Sequence, residues 1–300
     1  MLVHLWKTKN MNITTFSNPS SYSFHGLLAT YFSDTTFEDK EGSIKKSIDE
    51  TLKNNSLWMS DPSGFNDSFD CNNPIFKLNP NNQNHTISLA NKTFFKEIGI
   101  RCFVRDDKTS ENDQMMWAHY ANKANGICLV FDPEKDKQLF SPRDIIGVEY
   151  FKKPVPLNVS EGITNWTLKE IDFLTARCYS VGIKSTQWQY ENEVRLVKSC
   201  CPLSLQFLSE CMENVDNKGN EKLIIKEYSD KINKYLIETP NARNFHFEKE
   251  SLVEIRFGHG MKVPRIKEIK NLLKDNGYNH IKYTWSTPNS KEYKIDYISC

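Results

Sequence analysis

Two glutamates and an arginine are spaced two residues apart, at Glu191, Glu193 and Arg195. The surrounding residues 188–197 alternate like a strand, in which every second side chain lies on the same face. The two carboxylates would then lie within about 7 Å of each other, where like charges raise the proton affinity of one or require a cationic partner. The spacing therefore indicates either acid–base chemistry or a charged strand face on which Arg195 neutralises the pair.

A second candidate is the polar loop at residues 61–70, which Ser60 precedes and which contains Phe65 and Asn66. The loop is rich in Asp, Asn, Ser, Pro and Gly, a composition typical of irregular structure. Its aromatic faces and side-chain acceptors suit a small-molecule site. The same acceptors can instead cap the turns of the loop itself, and the sequence leaves both interpretations open.

A third candidate is an aromatic helix, predicted over residues 110–124 and closed by Gly126. Trp117 and Tyr120 share an apolar stripe at helical spacing, which is more typical of a core than of a site. His119 lies off that stripe, and a lone histidine is more often structural than catalytic.

The elements that would position these residues mix strands and helices without strict alternation, which predicts an α+β fold. Residues 1–22 are polar and aperiodic and predict a mobile arm, whereas residues 23–300 are expected to form a single domain. Strands are predicted at residues 24–32, 57–59, 100–105, 127–131, 145–151, 188–197, 280–285 and 293–298, with further apolar segments at 223–225 and 252–257. The other predicted helices cover residues 37–52, 161–177 and 263–273.

The overall composition argues against several classes of function. The 300 residues carry 39 Lys+Arg and 38 Asp+Glu, a net charge of +1, whereas a dedicated nucleic-acid binder usually has a clear basic excess. No apolar run approaches the roughly 20 residues of a spanning helix, so no membrane partner is expected. Neither CxxC…CxxC nor HExxH occurs, so no metal ligands are predicted. The first residues carry no secretory signal, which predicts maturation in a cytoplasm.

Four blocks of the chain, taken in order, resemble a bacterial family of domains of unknown function, numbered 2971. These blocks are residues 29–31, 65–70, 116–131 and 188–195, of which the last two resemble the more specific motifs. A later segment at residues 254–258 also resembles the family. Two departures stand out: Ala29 and Thr30 replace a Tyr and a Lys of the first block, and Ser68 replaces a Pro of the second.

The layout of that family in turn resembles the ADP-ribosyltransferase superfamily. The resemblance implies split antiparallel β-sheets with flanking helices, and transfer of ADP-ribose from NAD to a protein side chain, most often arginine. Glu193 would stabilise the positive charge that develops on the ribose, and Glu191 would orient the acceptor and take its proton. Either Arg101 or Arg195 would hold the pyrophosphate. The residues expected to bind NAD are Tyr31, Ser60, Phe65, Asn66, Trp117, Tyr120 and Arg195.

Enzymes of this kind commonly act as bacterial toxins or effectors. The resemblance therefore implies a protein partner in a host or competitor cell, and a host metabolic enzyme such as glutamate dehydrogenase is one example of such a target. It is compatible with synthesis in a bacterial cytoplasm and delivery by a specialised secretion system.

Two other functions stay open. A metal-dependent nuclease would hold Mg²⁺ between the two glutamates and Asp61, Asp67 or Asp70. The balanced charge and the lack of a lysine beside the glutamate pair count against it. A non-catalytic protein-binding module would use the aromatic residues as a peptide groove and the carboxylates as a solvated strand face.

Overall fold

The computed structural model describes residues 26–38, 42–67, 69–71, 76–77, 95–106, 113–153, 157–158, 181–201 and 221–300. The predicted arm at residues 1–22 and the predicted helix at residues 161–177 lie outside these described residues. That residues 23–300 form one domain stays a prediction. No helix in this part of the chain is both long and apolar enough to cross a membrane.

The described residues contain sixteen strands. They are β1 (Leu27–Phe32), β2 (Thr36–Glu38), β3 (Ile44–Lys46), β4 (Ser56–Trp58), β5 (Phe76–Lys77), β6 (Ile98–Asp106), β7 (Ile127–Phe131), β8 (Ile145–Gly147), β9 (Glu149–Phe151), β10 (Leu157–Asn158), β11 (Ile183–Ser185), β12 (Glu193–Ser199), β13 (Asn244–His246), β14 (Leu252–Phe257), β15 (Lys282–Pro288) and β16 (Ile295–Ser299).

Four α-helices and four short 3₁₀ helices have their bounds among the described residues, which also include helical residues at 95–97 and 181. The α-helices are α1 (Ser47–Lys53), α2 (Asp113–Tyr120), α3 (Glu221–Glu238) and α4 (Val263–Asp275). The 3₁₀ helices are η1 (Pro62–Gly64), η2 (Pro133–Lys135), η3 (Thr186–Glu191) and η4 (Lys249–Ser251).

Eight strands form one principal sheet in the order β16-β15-β14-β7-β1-β6-β12-β8. Strand β1 lies near its centre and pairs antiparallel with both β6 and β7. Within this sheet β14 and β15 run parallel, and every other pair is antiparallel. The mixture of a mainly antiparallel sheet with separate helices confirms the predicted α+β class.

The two faces of the sheet pack against different helices, because alternate residues of a strand point to opposite sides. On one face, Leu28 and Phe257 join the larger apolar core with residues of α1 and α4. Helix α4 contributes a stripe of three buried residues, Ile266, Ile269 and Leu273, at the spacing of one helix face. The opposite face packs against α2, and we call it the α2 face.

Two predicted elements are corrected by the structure, and two apolar segments are assigned to elements. The helix predicted over residues 37–52 begins only at Ser47, since β2 and β3 precede it as a short exposed hairpin. The strand predicted over residues 145–151 is divided at Val148: the bond from its amide to the carbonyl of Glu193 is the last of the pairing with β12, and β9 then pairs with β11 instead. The apolar segment at residues 223–225 lies in helix α3, and that at residues 252–257 forms β14.

A left-handed turn follows helix α2. Asn122, Lys123 and Ala124 have φ angles of 48°, 54° and 61°, a conformation that costs non-glycine residues free energy. The turn ends at Gly126, where a Cβ atom would stand 1.9 Å from the carbonyl oxygen of Phe32. Only glycine therefore allows β7 to start so close to the end of β1.

Candidate functional site

The α2 face of the sheet carries two Glu-x-Arg pairs. Glu193 and Arg195 belong to β12, and Glu254 and Arg256 belong to β14. The register places the two glutamates in one row across the sheet, with one apolar residue from each of β6, β1 and β7 between them. Four strand spacings of about 4.8 Å put the two pairs roughly 19 Å apart.

The first pair lies in a buried group of five charged residues, which we call the glutamate cluster. Its members are Asp70, Lys184, Glu191, Glu193 and Arg195, all 6% exposed or less. The Nζ atom of Lys184 is 2.5 Å from Oε2 of Glu191, 3.1 Å from Oε2 of Glu193 and 3.7 Å from Oδ2 of Asp70. One ammonium group thus contacts all three carboxylates.

Arg195 contributes the second positive charge of the cluster. Its Nε donates to Oε1 of Glu193 at 2.7 Å, and its two terminal nitrogens bind both carboxylate oxygens of Asp70 at 2.8 and 2.6 Å. One of those nitrogens also donates to the carbonyl of Val181. Because each of its nitrogens is engaged, the predicted contact of Arg195 with a pyrophosphate would require these bonds to break.

A short helix and a left-handed residue, rather than a continuous strand, bring the two glutamates together. Residues 186–191 form η3, which Ser185 caps, and Asn192 then adopts a φ of +44° before β12 begins at Glu193. The prediction of one strand over residues 188–197 is therefore wrong in its first half. The two carboxylates nevertheless converge, since both turn toward Lys184 on β11.

The two glutamates have pKa values shifted in opposite directions. Burial raises the pKa of Glu191, although Lys184 and the hydroxyl of Tyr120 oppose this shift. Burial acts on Glu193 too, but the charges of Arg195 and Lys184 outweigh it and lower the pKa of Glu193 to about 2. Opposite shifts in a neighbouring pair distinguish a carboxylate that stays ionised from one suited to exchanging a proton.

Aromatic rings border Glu191, and we call them the aromatic rim: His119, Tyr120, Trp188 and Tyr190. The hydroxyl of Tyr120 donates to Oε1 of Glu191 at 2.5 Å. The ring of Tyr190 lies 6.4 Å from that of His119 and 6.1 Å from that of Trp188. Trp188 and Tyr190 are half-buried and His119 is exposed, so the rim connects the cluster to solvent.

Two of the residues predicted to bind NAD lie outside the glutamate cluster, in a second polar group. The rings of Tyr31 and Trp117 pack edge to face at 5.2 Å and are buried. The hydroxyl of Tyr31 lies 3.4 Å from a carboxylate oxygen of Asp113, and Trp117 donates to the hydroxyl of Tyr297. Trp117 is 1% exposed, which agrees with its interpretation as a core residue.

The acceptors of the polar loop have different roles: some cap turns of the loop, and one lies at the candidate site. Asp61 accepts from the amide of Ser63, and Asp67 from the amide of Phe69, so both cap turns of their own loop. Asp70 instead belongs to the glutamate cluster, and the ring of Phe65 lies 5.4 Å from the guanidinium of Arg195.

The other candidate residues lie away from the glutamates. Asn66 is exposed. Ser60 exchanges two backbone hydrogen bonds with Ile100 at the end of the sheet. Arg101 donates to the hydroxyl of Thr30 and lies over the ring of Phe32, which is part of the larger core on the opposite face. Of the two arginines proposed for the pyrophosphate, Arg101 thus faces away from the glutamate pair.

Lys184 is the one member of the glutamate cluster that was not a candidate from the sequence. The sequence has no lysine next to the glutamate pair, but in the folded protein Lys184 contacts both glutamates. The signal that was available is a lysine in the middle of the short strand β11, seven positions before Glu191. Among the described residues, no group of three or more His, Cys, Asp or Glu side chains has the arrangement of a metal site.

A family described as "Protein of unknown function (DUF2971)" has a model that matches residues 116–196. The match supports the predicted resemblance of the chain to this family over residues 116–196. The DUF2971 segment contains Lys184, both glutamates and Arg195, together with all four residues of the aromatic rim. No curated protein and no solved structure matches the chain. The likeness to the ADP-ribosyltransferases therefore stays a prediction.

Proposed function

We propose that this protein cleaves NAD at the nicotinamide–ribose bond and transfers ADP-ribose to a protein side chain, with arginine as the acceptor. One observation carries the proposal: two buried carboxylates with oppositely shifted pKa values meet at one ammonium group beside an aromatic rim. Cleavage of a bond to a sugar carbon typically uses two carboxylates with distinct protonation roles.

Each glutamate has a role that fits its environment. As the bond between the ribose and nicotinamide breaks, its electron pair leaves on nicotinamide, and positive charge develops on the sugar. Glu193, ionised down to low pH, would stabilise that charge. A nitrogen of the acceptor guanidinium then forms the new bond to the ribose carbon, and Glu191, with its raised proton affinity, takes the proton released.

The remaining predicted NAD contacts are partly reassigned in this proposal. Tyr120, Trp188 and Tyr190 of the aromatic rim offer faces on which nicotinamide or adenine can stack. Tyr31 of β1 and Trp117 of α2 would hold the helix against the sheet rather than contact NAD. The eight strands are hydrogen-bonded into one sheet, which differs from the split sheets that an ADP-ribosyltransferase-like fold implies.

The proposed partners are NAD and a protein of a host or competitor cell. Glutamate dehydrogenase is one metabolic enzyme worth including among candidate targets. Delivery from a bacterial cytoplasm as an effector or toxin belongs to the same proposal.

The experiment is label transfer from biotinylated NAD into a eukaryotic cell lysate, together with nicotinamide release by the purified protein. We expect Glu191→Gln and Glu193→Gln to lower both signals by about 100-fold or more, because each removes a group used in the transition state. Glu254→Gln is the matched control, since it changes the glutamate of the other Glu-x-Arg pair, roughly 19 Å away.

A wild-type protein that labels nothing, releases no nicotinamide and gains no thermal stability from NAD would overturn the proposal. In that case, Mg²⁺-dependent loss of DNA or RNA would favour the nuclease. Inactivity in all of these assays would favour a protein-binding module.

A further inference from the structure

We infer that Lys184 is a positioning residue, which keeps Glu191 ionised at neutral pH and aims both carboxylates of the proposed reaction. The inference rests on the proposed function for its catalytic meaning. The effect of Lys184 on Glu191 is a property of the cluster alone.

The contacts of Lys184 and Arg195 divide the cluster between them. Arg195 binds Glu193 and Asp70, while Lys184 is the cation that contacts Glu191 within the described part of the chain. Lys184 also reaches Glu193 at 3.1 Å and therefore links the two glutamates. Without it, Glu191 would face the negative charge of Glu193 with no cation in contact.

The backbone around Lys184 fixes where its ammonium group can lie. Strand β11 pairs parallel with β9, so that Lys184 lies opposite Tyr150. The Nζ atom lies 4.8 Å from the centre of the Trp188 ring, and the side chain is 5% exposed. A lysine held by pairing, packing and three carboxylates has little freedom to move away from Glu191.

Every charged or titratable group near Glu191 enters this balance. Tyr120 of α2 donates a hydrogen bond to Glu191, and the hydroxyl of Tyr150 of β9 accepts one from the amide of Glu193. Tyr190 of η3 lies beside Glu191 in the sequence, and its ring is 6.4 Å from that of the exposed His119 of α2 at the aromatic rim. Asp70, Glu193 and Arg195 complete the set. The three tyrosines are neutral at neutral pH, so Lys184 supplies the positive charge that offsets the burial of Glu191.

The expected consequence is a shift in proton affinity. In a variant without the ammonium group, burial and the charge of Glu193 act on Glu191 with no cation in contact to oppose them. The titration midpoint of Glu191 should then rise by at least about one pH unit. Glu191 must be ionised to accept a proton, so the acidic limb of NAD cleavage should move to higher pH by the same amount.

The test combines Lys184→Met, Lys184→Gln and the charge-conserving Lys184→Arg with carbon-13 NMR of glutamate carboxylates. Glu191→Gln identifies the Glu191 signal. We expect the two neutral variants to raise its midpoint and Lys184→Arg to hold it within a few tenths of a pH unit. Lys198→Met is the matched control, since it removes a lysine that pairs with Asp144 outside the cluster.

Several outcomes would overturn the inference. The wild-type protein is itself a test, because a Glu191 midpoint above pH 7 contradicts it whether or not any variant folds. An unshifted midpoint in either folded neutral variant also contradicts it. If the NMR shift occurs but no NAD is cleaved, Lys184 controls Glu191 as inferred and the transferase proposal fails. If NAD is cleaved but the Glu191 midpoint does not move, the transferase proposal stands and the inference about Lys184 fails.

Discussion

The charged side chains of the glutamate cluster are buried, and burial is tolerable only because each is paired. Arg195 is fully buried and binds Asp70 and Glu193 with all of its nitrogens. Removing one partner of such a group leaves an uncompensated charge in a medium that solvates it poorly. The arrangement that we propose to be catalytic therefore also makes the stability of the protein depend on pH.

The ionised form of Glu193 should stabilise the folded protein, so stability should fall when the pH becomes low enough to protonate it. Its pKa in the folded protein is about 2, below the ordinary value of 4.5, so its contribution is present above pH 4.5 and is lost as the pH falls toward 2. We expect the free energy of unfolding of Glu193→Gln to fall less steeply than that of the wild type in this interval. Urea denaturation at a series of pH values measures both slopes, and parallel curves would contradict the expectation.

The sequence predicted the pair but not its partner. Glu191 and Glu193 are recognisable because their spacing is local, and the structure brings their carboxylates together. Lys184 meets them only through the pairing of β11 with β9, and Asp70 reaches Arg195 across 125 positions of the chain. A lone lysine in a short strand is only a weak signal for the first of these contacts, and no local pattern encodes the second.

Among the elements, the left-handed turn after α2 decides where β7 begins. The turn is held by bonds from the amide of Ala124 to the carbonyl of Trp117 and from the amide of Gly260 to the carbonyl of Ala124. Strained backbone persists only where its surroundings hold it in place. Here it follows directly on Tyr120, the residue that bonds to Glu191.

Substitution of Gly126 by alanine should destabilise this connection. The added Cβ would stand 1.9 Å from the carbonyl oxygen of Phe32, a backbone atom that cannot move aside cheaply. We expect the free energy of unfolding to fall by about 3 kcal/mol. Gly64→Ala is the control, because nothing lies within 4 Å of its Cβ position. Equal chemical denaturation midpoints for the two variants would show that the close approach is not a constraint.

The predicted elements are accurate where a clear apolar pattern matches the backbone. They are wrong where a single residue changes the backbone conformation without changing the pattern. The strand at 127–131 and the helix at 263–273 were predicted almost to their ends, since each has a clear apolar pattern. The strand at 188–197 was predicted too long, because the left-handed conformation of Asn192 leaves the alternation of residue types unchanged. The sequence contains no signal strong enough to place such a residue.

At the scale of the whole molecule, the edge strand β16 is connected to the centre of the α2 face. The hydroxyl of Tyr297 donates to Asp113 at 2.7 Å and accepts from Trp117 at 3.0 Å. Its ring also lies 4.4 Å from the guanidinium of Arg256. The strand at the edge of the sheet thereby anchors helix α2, which carries His119 and Tyr120 of the aromatic rim.

Loss of that hydroxyl should weaken the whole fold. We expect Tyr297→Phe to lower the free energy of unfolding by about 1–3 kcal/mol, because Asp113 and Trp117 would each lose a buried hydrogen-bond partner. Tyr293→Phe is the control at a ring that is 93% exposed, and should change stability by no more than about 0.5 kcal/mol. Thermal and urea unfolding measure the stability of both variants. Equal free energies of unfolding would show that the bonds from β16 to α2 do not stabilise the fold.

The order of the strands also bears on how fast the chain can fold. Within the principal sheet, β15 and β16 are close neighbours in the chain, whereas Leu28 of β1 pairs with Phe131 of β7, about 100 positions later. Each distant pairing must close a long loop before it gains any contact, so folding of such a sheet is intrinsically slow. Until β1 finds both of its partners, its apolar side chains stay exposed to association with other chains. A chain of this topology therefore benefits from dilution, or from a chaperone, while it folds.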